Sequence, residues 1–252
     1  MDNRACIFCG ATGASVKITR EHTFSNWVNQ VLTPTIVGPD ISYERRAMHG
    51  PKAGTVNTWS AAVVAGHTLR AVCKSCNNGW MSELEGAVRP LIEPMIKGYN
   101  AALTTEQQIT VATWATMKTA VFDYVWTDDP VLAAGDREVI RTQNRPPASV
   151  QVRLAAVESN GYPLRALGRG YELRGPGDKA ICLTMTVGCL VAQAFGGPGA
   201  GIHGFQTAGR TGADFIGIFP PQMRPVQWPA TSALDDASLV TFAHPLAPLT
   251  DT

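Results

Sequence analysis

Four cysteines fall in two pairs, Cys6-Ile7-Phe8-Cys9 and Cys73-Lys74-Ser75-Cys76, with the dipeptide Glu21-His22 between them. A C-x-x-C turn presents two sulfurs to one side of a tetrahedron. Zinc imposes little geometry of its own and binds sulfur well, so four thiolates suit it. We read Cys6, Cys9, Cys73 and Cys76 as one structural Zn2+ site that staples the two ends of a unit together. Structural zinc contributes on the order of 10 kcal/mol in small domains. The bland alternative is four unrelated thiols, and two such pairs among only six cysteines fit it poorly. Cys182 and Cys189 stand alone in an apolar run and read as buried, inert thiols.

Glu21-His22 carries a second chemistry. A phosphodiester is hydrolysed when a divalent cation neutralises its oxygens and a base activates water. Imidazole changes charge near neutrality, which suits His22 as the base. On an extended strand Glu21 points to the other side, where it reaches a cation while His22 faces water. Asn77 or Asn78, at the start of a helix, completes the metal shell with a side-chain oxygen. Adjacent acid and histidine are common, so it is the place between the two cysteine pairs that selects this dipeptide.

The elements that position these groups follow from the pattern. Ser15 to Thr19 alternates as a short strand delivering Glu21 and His22 at its end. Phe24, Trp27, Val28, Val31 and Leu32 recur at helical spacing until Pro34. Residues 34–60, with breakers at Pro39, Gly50-Pro51 and Gly54, read as a long loop. Thr68 to Val72 is a second strand leading into the second cysteine pair. Trp80, Leu84, Val88, Leu91 and Met95 form a core-facing helical stripe, and Gly98 ends it. Thr104-x-x-Gln107 predicts a capping box for a central helix that is apolar nearly all round up to Trp126. A shorter helix runs to Arg141. The remainder reads mostly as strands: an alternating one from Val150, a buried run from Ile181 to Val191, and Phe215 to Phe219.

Bulk properties bound the partners. Net charge is +1, but residues 1–100 hold ten Lys/Arg against seven Asp/Glu and residues 101–252 hold eleven against thirteen. This asymmetry agrees with nucleic-acid contact by the N-terminal part. The first sixteen residues have no apolar signal core, and the apolar stretch from Ala180 to Phe195 is interrupted by Thr184, Thr186 and Gln193. A soluble cytoplasmic protein with no membrane partner is expected, where reducing conditions favour metal over disulfide. Seven arginines between Arg137 and Arg174 read as a solvated strand face, and Asp235-Asp236 as a helix cap. Gly196 to Gly201 lacks the Gly-Lys-Ser/Thr ending of a phosphate loop.

At its two ends the N-terminal part resembles the HNH endonuclease superfamily, the ββα-metal nucleases. The matching residues are Cys6-x-x-Cys9, Thr19-Arg20-Glu21-His22, and Val72-Cys73-Lys74-Ser75-Cys76-Asn77-Asn78-Gly79-Trp80-Met81. The likeness is to a branch in which Glu-His replaces Asp-His and C-x-x-C-N replaces C-x-x-C-H. It implies Glu21 and Asn77 as ligands of a catalytic Mg2+ or Mn2+ and His22 as general base. It also implies a central asparagine that orients the base. Asn57 is the best-placed residue for that role, with Asn26 and Asn29 as alternatives. The insertion between His22 and Cys73 is long for this fold, and His49 or His67 could substitute for Asn77 as third ligand if it folds back.

The expected fold is α+β: a zinc-knuckle, HNH-like ββα-metal unit at 1–100, then a helix-plus-β-sheet region at 101–252. The expected function is metal-dependent hydrolysis of DNA. The alternative is a zinc-stabilised nucleic-acid-binding or sensor module without nuclease activity.

Overall fold

The computed structural model of the chain describes residues 5–32, 41–46, 56–61, 68–126, 130–158, 164–172, 178–198, 215–229, 232–235 and 237–239. Their architecture is mixed α+β.

The N-terminal part is built on an antiparallel pair, β1 (Ile18–His22) and β4 (Thr68–Cys73), in which Ile18 faces Cys73 and His22 faces Thr68. The expected strand at 15–19 therefore starts later. The Val16 N–H donates to the Gly13 carbonyl at 3.0 Å, so Val16 belongs to a turn, and Glu21 and His22 lie within the strand. Helix α1 (Asn26–Leu32) buries Val28, Val31 and Leu32, as its spacing requires.

Residues 34–60 are not one long loop. β2 (Ile41–Arg46) and β3 (Val56–Ala61) pair antiparallel, with Asn57 opposite Arg45. The breakers Pro39, Gly50-Pro51 and Gly54 bound these strands rather than abolish them, and β-branched and aromatic residues such as Ile41, Tyr43, Val56 and Trp59 favour them.

After β4 the chain enters a single helical turn, α2 (Lys74–Cys76), a widened π-type turn at Asn77–Met81, and helix α3 (Ser82–Ile96). Leu84, Val88, Ile92 and Met95 are its buried stripe. Trp80 and Leu91, expected in the stripe, are half-buried against the same core, and Gly79 (φ −97°, ψ −118°) breaks the helix just before Trp80. Gly98 takes φ +81° and donates to the Met95 carbonyl at 3.0 Å, closing the helix where the glycine predicts.

Short strand β5 (Ala101–Leu103) precedes the central helix α4 (Thr105–Trp126). Its capping box forms as expected: the Thr104 N–H donates to Gln107 Oε1 at 2.9 Å, and the Gln107 N–H to Thr104 Oγ1 at 3.3 Å. Helix α5 (Ala134–Gln143) follows.

A six-stranded sheet covers α4. It comprises β6 (Val150–Val157), β7 (Leu164–Glu172), β8 (Lys179–Val187), β9 (Leu190–Gly196), β10 (Ile216–Phe219) and β12 (Ala233–Leu234), in the order β10-β6-β9-β8-β7 with β12 parallel to β6. β11 (Val226–Trp228) pairs with β5 instead. The apolar run at 181–191 is thus a hairpin. It turns at Gly188, whose φ of +55° and close approach to the Ile96 carbonyl leave no room for a side chain.

Helix α4 touches α3, α5, β4 and the sheet, and one hydrophobic core runs from Cys6 and Val72 through Trp114 to Trp228. Among the described residues, Arg137 and Arg141 stand on helix α5 and Arg145 outside any strand, so the expected solvated strand face does not take them in. Arg137 donates to the Ile7 carbonyl at 2.8 Å and to the Leu132 carbonyl. Arg153 is buried, donates to Gln193 Oε1 at 2.7 Å and stacks over Phe215. Asp235 caps as expected, accepting from the Ser238 N–H at 2.7 Å. No described helix is long and apolar enough to cross a membrane.

Candidate metal centre and adjoining cleft

The two cysteine pairs meet. The sulfurs of Cys6, Cys9, Cys73 and Cys76 all lie within 4.8 Å of one another, with Cys9 and Cys73 at 3.7 Å. A Zn–S bond of about 2.3 Å puts tetrahedral sulfurs about 3.8 Å apart, so the quartet fits a zinc ion. Backbone geometry builds it. Gly10, at φ +68°, donates to the Cys6 carbonyl at 2.8 Å and closes the first turn. The Ile7 N–H donates to the Ala71 carbonyl at 3.0 Å, tying that turn to β4. Phe8 meets the edge of Trp80 with ring centres 4.9 Å apart, which holds the first turn against the start of the helix.

The thiols are unequal. Burial, above all, raises Cys9 and Cys76 above the usual thiol range. Burial also opposes the Cys73 thiolate, but hydrogen bonds from Ser75, the Cys76 backbone and the neighbouring thiols outweigh it and bring Cys73 to about 6. Cys182 lies fully buried at about 12, as expected of an inert thiol, while Cys189 is only half-buried.

Beside the quartet is a cleft of about 220 Å³ lined by Glu21, His22, Ser25, Asn26, Asn77, Asn78, Met81, Ser82 and Glu85. It gathers three of the four residues that the sequence singles out for the reaction. The fourth, Asn57, lies on the separate β2–β3 hairpin, where its side chain falls outside the described residues; so do His49 and His67. Of the alternatives to Asn57, Asn26 lines the cleft and accepts from Asn29 Nδ2 at 3.2 Å. Glu21 and His22 both line this cleft, Glu21 buried and His22 half-buried, and the register of β1 against β4 shifts just before them, between Thr19 and Glu21.

Asn77 is oriented by a short relay. Thr19 Oγ1 donates to the Val72 carbonyl at 3.2 Å and accepts from Asn77 Nδ2 at 3.0 Å. The carbonyl can only accept, so the one hydroxyl proton is committed to it and the amide must turn its NH2 to Thr19. Its Oδ1 is left for the cleft.

Two residues of the site escaped the sequence reading. Lys118, on α4 and 1% exposed, places its ammonium 2.7 Å from Glu85 Oε1, 3.3 Å from Glu21 Oε1 and 3.3 Å from the His22 carbonyl. A lysine inside an otherwise apolar helix was the available signal. Glu85 stands one turn into α3 and reads in sequence as a helix-dipole acid. Burial raises Glu21 above the usual carboxylate range, with Lys118 opposing that rise and Glu85 adding to it. Lys118 is held charged: burial works against the ammonium, but the Glu85 and Glu21 carboxylates outweigh it. Ser25 Oγ, also in this wall, is buried with no partner among the described residues.

No family model, no curated protein and no solved structure matches this chain.

Proposed function

We propose that the chain is a metal-dependent endonuclease of HNH type that hydrolyses DNA phosphodiester bonds in the cleft between Glu21 and Asn77. The observation that carries this reading is the convergence of Glu21, His22 and Asn77 on one cleft beside a four-thiolate site. In it the β1–β4 pair and the following helix act as a zinc-knuckle ββα-metal unit.

The donors fit a hard cation. Glu21 offers a carboxylate and Asn77 a carbonyl oxygen, which suit Mg2+ or Mn2+ better than a soft metal. Two carboxylates, Glu21 and Glu85, face one ammonium, which leaves one negative charge in excess. Such a cation supplies charge neutralisation on the non-bridging and leaving oxygens of the phosphodiester. Glu21 and Asn77 Oδ1 would hold it. His22 takes the proton of a water as its oxygen bonds to phosphorus and the bond to the leaving ester oxygen breaks; solvent at the open mouth protonates that oxygen. Ser25 Oγ, whose burial without a bond costs about 1–3 kcal/mol, gains a partner in a phosphate oxygen.

One observation favours the second reading, a nucleic-acid-binding module without nuclease activity. Lys118 already compensates Glu21, as a resident ammonium does in a site that has lost its cation. Zinc-loaded protein with Mg2+ or Mn2+, mixed with plasmid and single-stranded DNA beside His22→Ala, separates the two. Cleavage lost in His22→Ala supports the enzyme. Retained DNA binding with equal inactivity of both proteins supports the module and rejects the nuclease.

A further inference from the structure

A second cleft, of about 430 Å³, lies on the other side of Asn78 and is lined by Ala11, Ser15, Val16, Lys17, Cys73, Lys74, Ser75 and Asn78 itself. Asn78 is exposed and belongs to the wall of both clefts, so the two are neighbours across it. The second cleft carries opposite charge. Lys17 and Lys74 are both exposed and both line it. The Lys74 N–H, at the start of α2, donates to the Lys17 carbonyl at 2.9 Å just before β1, so the two lysine backbones meet one step beyond the Ile18–Cys73 pair. Two ammonium groups on the wall of one cleft both attract an anion that enters it. Thr19 stands between Lys17 and Glu21 in the chain and accepts from Asn77, so this stretch leads from the lysines to the acid cleft that Glu21 and Asn77 line.

We propose that Lys17 and Lys74 seat a backbone phosphate of a nucleic-acid strand that crosses Asn78 into the Glu21–His22–Asn77 cleft. This inference deepens the nuclease reading and rests on it for the place of the scissile bond. The lysines supply the charge that the acid cleft lacks toward a polyanion, and they fix the strand's path without reading its bases. A competing role exists for the same pair, because four thiolates around zinc form a dianion next to Cys73 that two ammonium groups would offset.

The test uses zinc-loaded full-length protein in a His22→Ala background, so that no probe is cut. Fluorescein-labelled single-stranded DNA, duplex DNA and single-stranded RNA of one sequence are titrated by anisotropy across KCl concentrations. The parent is compared with Lys17→Ala/Lys74→Ala and with Lys97→Ala, whose lysine pairs with Glu93 at 2.6 Å away from both clefts. Zinc content is measured in each. The expected result is an affinity loss of tenfold or more in the double variant on at least one probe. The slope of log Kd against log salt should fall by about 0.7–0.9, the release expected from one phosphate contact. Zinc should be retained and Lys97→Ala unchanged. An unchanged slope, or zinc loss as the only effect, assigns the lysines to the thiolates and overturns the inference, as does a parent that binds no probe. Cleavage by the wild type alongside an unchanged slope removes this inference alone. The expected slope change together with a wild type that never cleaves removes the nuclease reading alone.

Discussion

Lys118 Nζ lies 3.3 Å from Glu21 Oε1, joining residues 97 positions apart in the chain. The contact makes the central helix α4 part of the site wall. The Lys118 and Glu21 side chains are 1% and 8% exposed, so little water screens them. Removing one partner of a buried pair costs about 3–5 kcal/mol, because the other charge is left uncompensated. Lys118→Met should therefore lower unfolding stability by that order in a urea titration. Adding Glu85→Gln should restore part of the loss, since fewer unpaired carboxylates remain. Additive losses in the double variant would show that Lys118 and Glu85 do not interact.

The thiol quartet makes a prediction about protons. Cys9 and Cys76 are raised, so at pH 7 each holds a proton that zinc must displace, whereas Cys73, at about 6, has largely lost its own. Zinc binding at pH 7 should release at least two protons, seen by calorimetry in buffers of different ionisation enthalpy. Because binding releases protons, zinc affinity should weaken as pH falls from 8 to 6. Binding of one zinc with no proton release would contradict the assignment of these thiols.

The Thr19 relay assigns a role to a residue that touches no reacting atom. Thr19→Val keeps the shape of the strand but removes the acceptor that fixes Asn77 Nδ2. Losing such an outer partner costs roughly 10–100-fold in metal affinity or activity. The variant should need that much more Mn2+ for half-saturation and should keep its zinc. An unchanged Mn2+ requirement would mean that Asn77 does not use its oxygen on the cation.

The parts of this arrangement that were legible in the sequence share one property: each is local. The C-x-x-C turns, the Thr104–Gln107 box, the Gly98 stop and the Asp235 cap are written within four or five neighbouring residues. The convergence of Cys6 and Cys9 with Cys73 and Cys76 was legible too, because one metal needs all four. The missed features depend on tertiary contact. Nothing near Lys118 says that its ammonium meets Glu21, and the register shift between Thr19 and Glu21 arises only from the pairing of β1 with β4. The β2–β3 pairing is hidden in the sequence by the glycines and prolines on either side, which signal a loop as readily as the ends of short strands.

The capping box is a check on the central helix alone. Thr104→Ala removes the side-chain acceptor of the Gln107 N–H. It should cost about 1 kcal/mol of stability, measured by urea unfolding, and leave zinc content and any DNA binding unchanged. A stability unchanged by the substitution would mean that the box does not hold the helix start.

The central claim is that His22 acts as base in a cation-dependent cleft. Its most direct test is the Mn2+-dependent cleavage rate of supercoiled plasmid by zinc-loaded wild type and His22→Ala, with and without added imidazole. The account predicts cleavage by the wild type, none by His22→Ala, and partial return of the variant's rate when imidazole fills the space left by the side chain. A wild type that cleaves no faster than His22→Ala in the presence of Zn2+ and Mn2+ would contradict it.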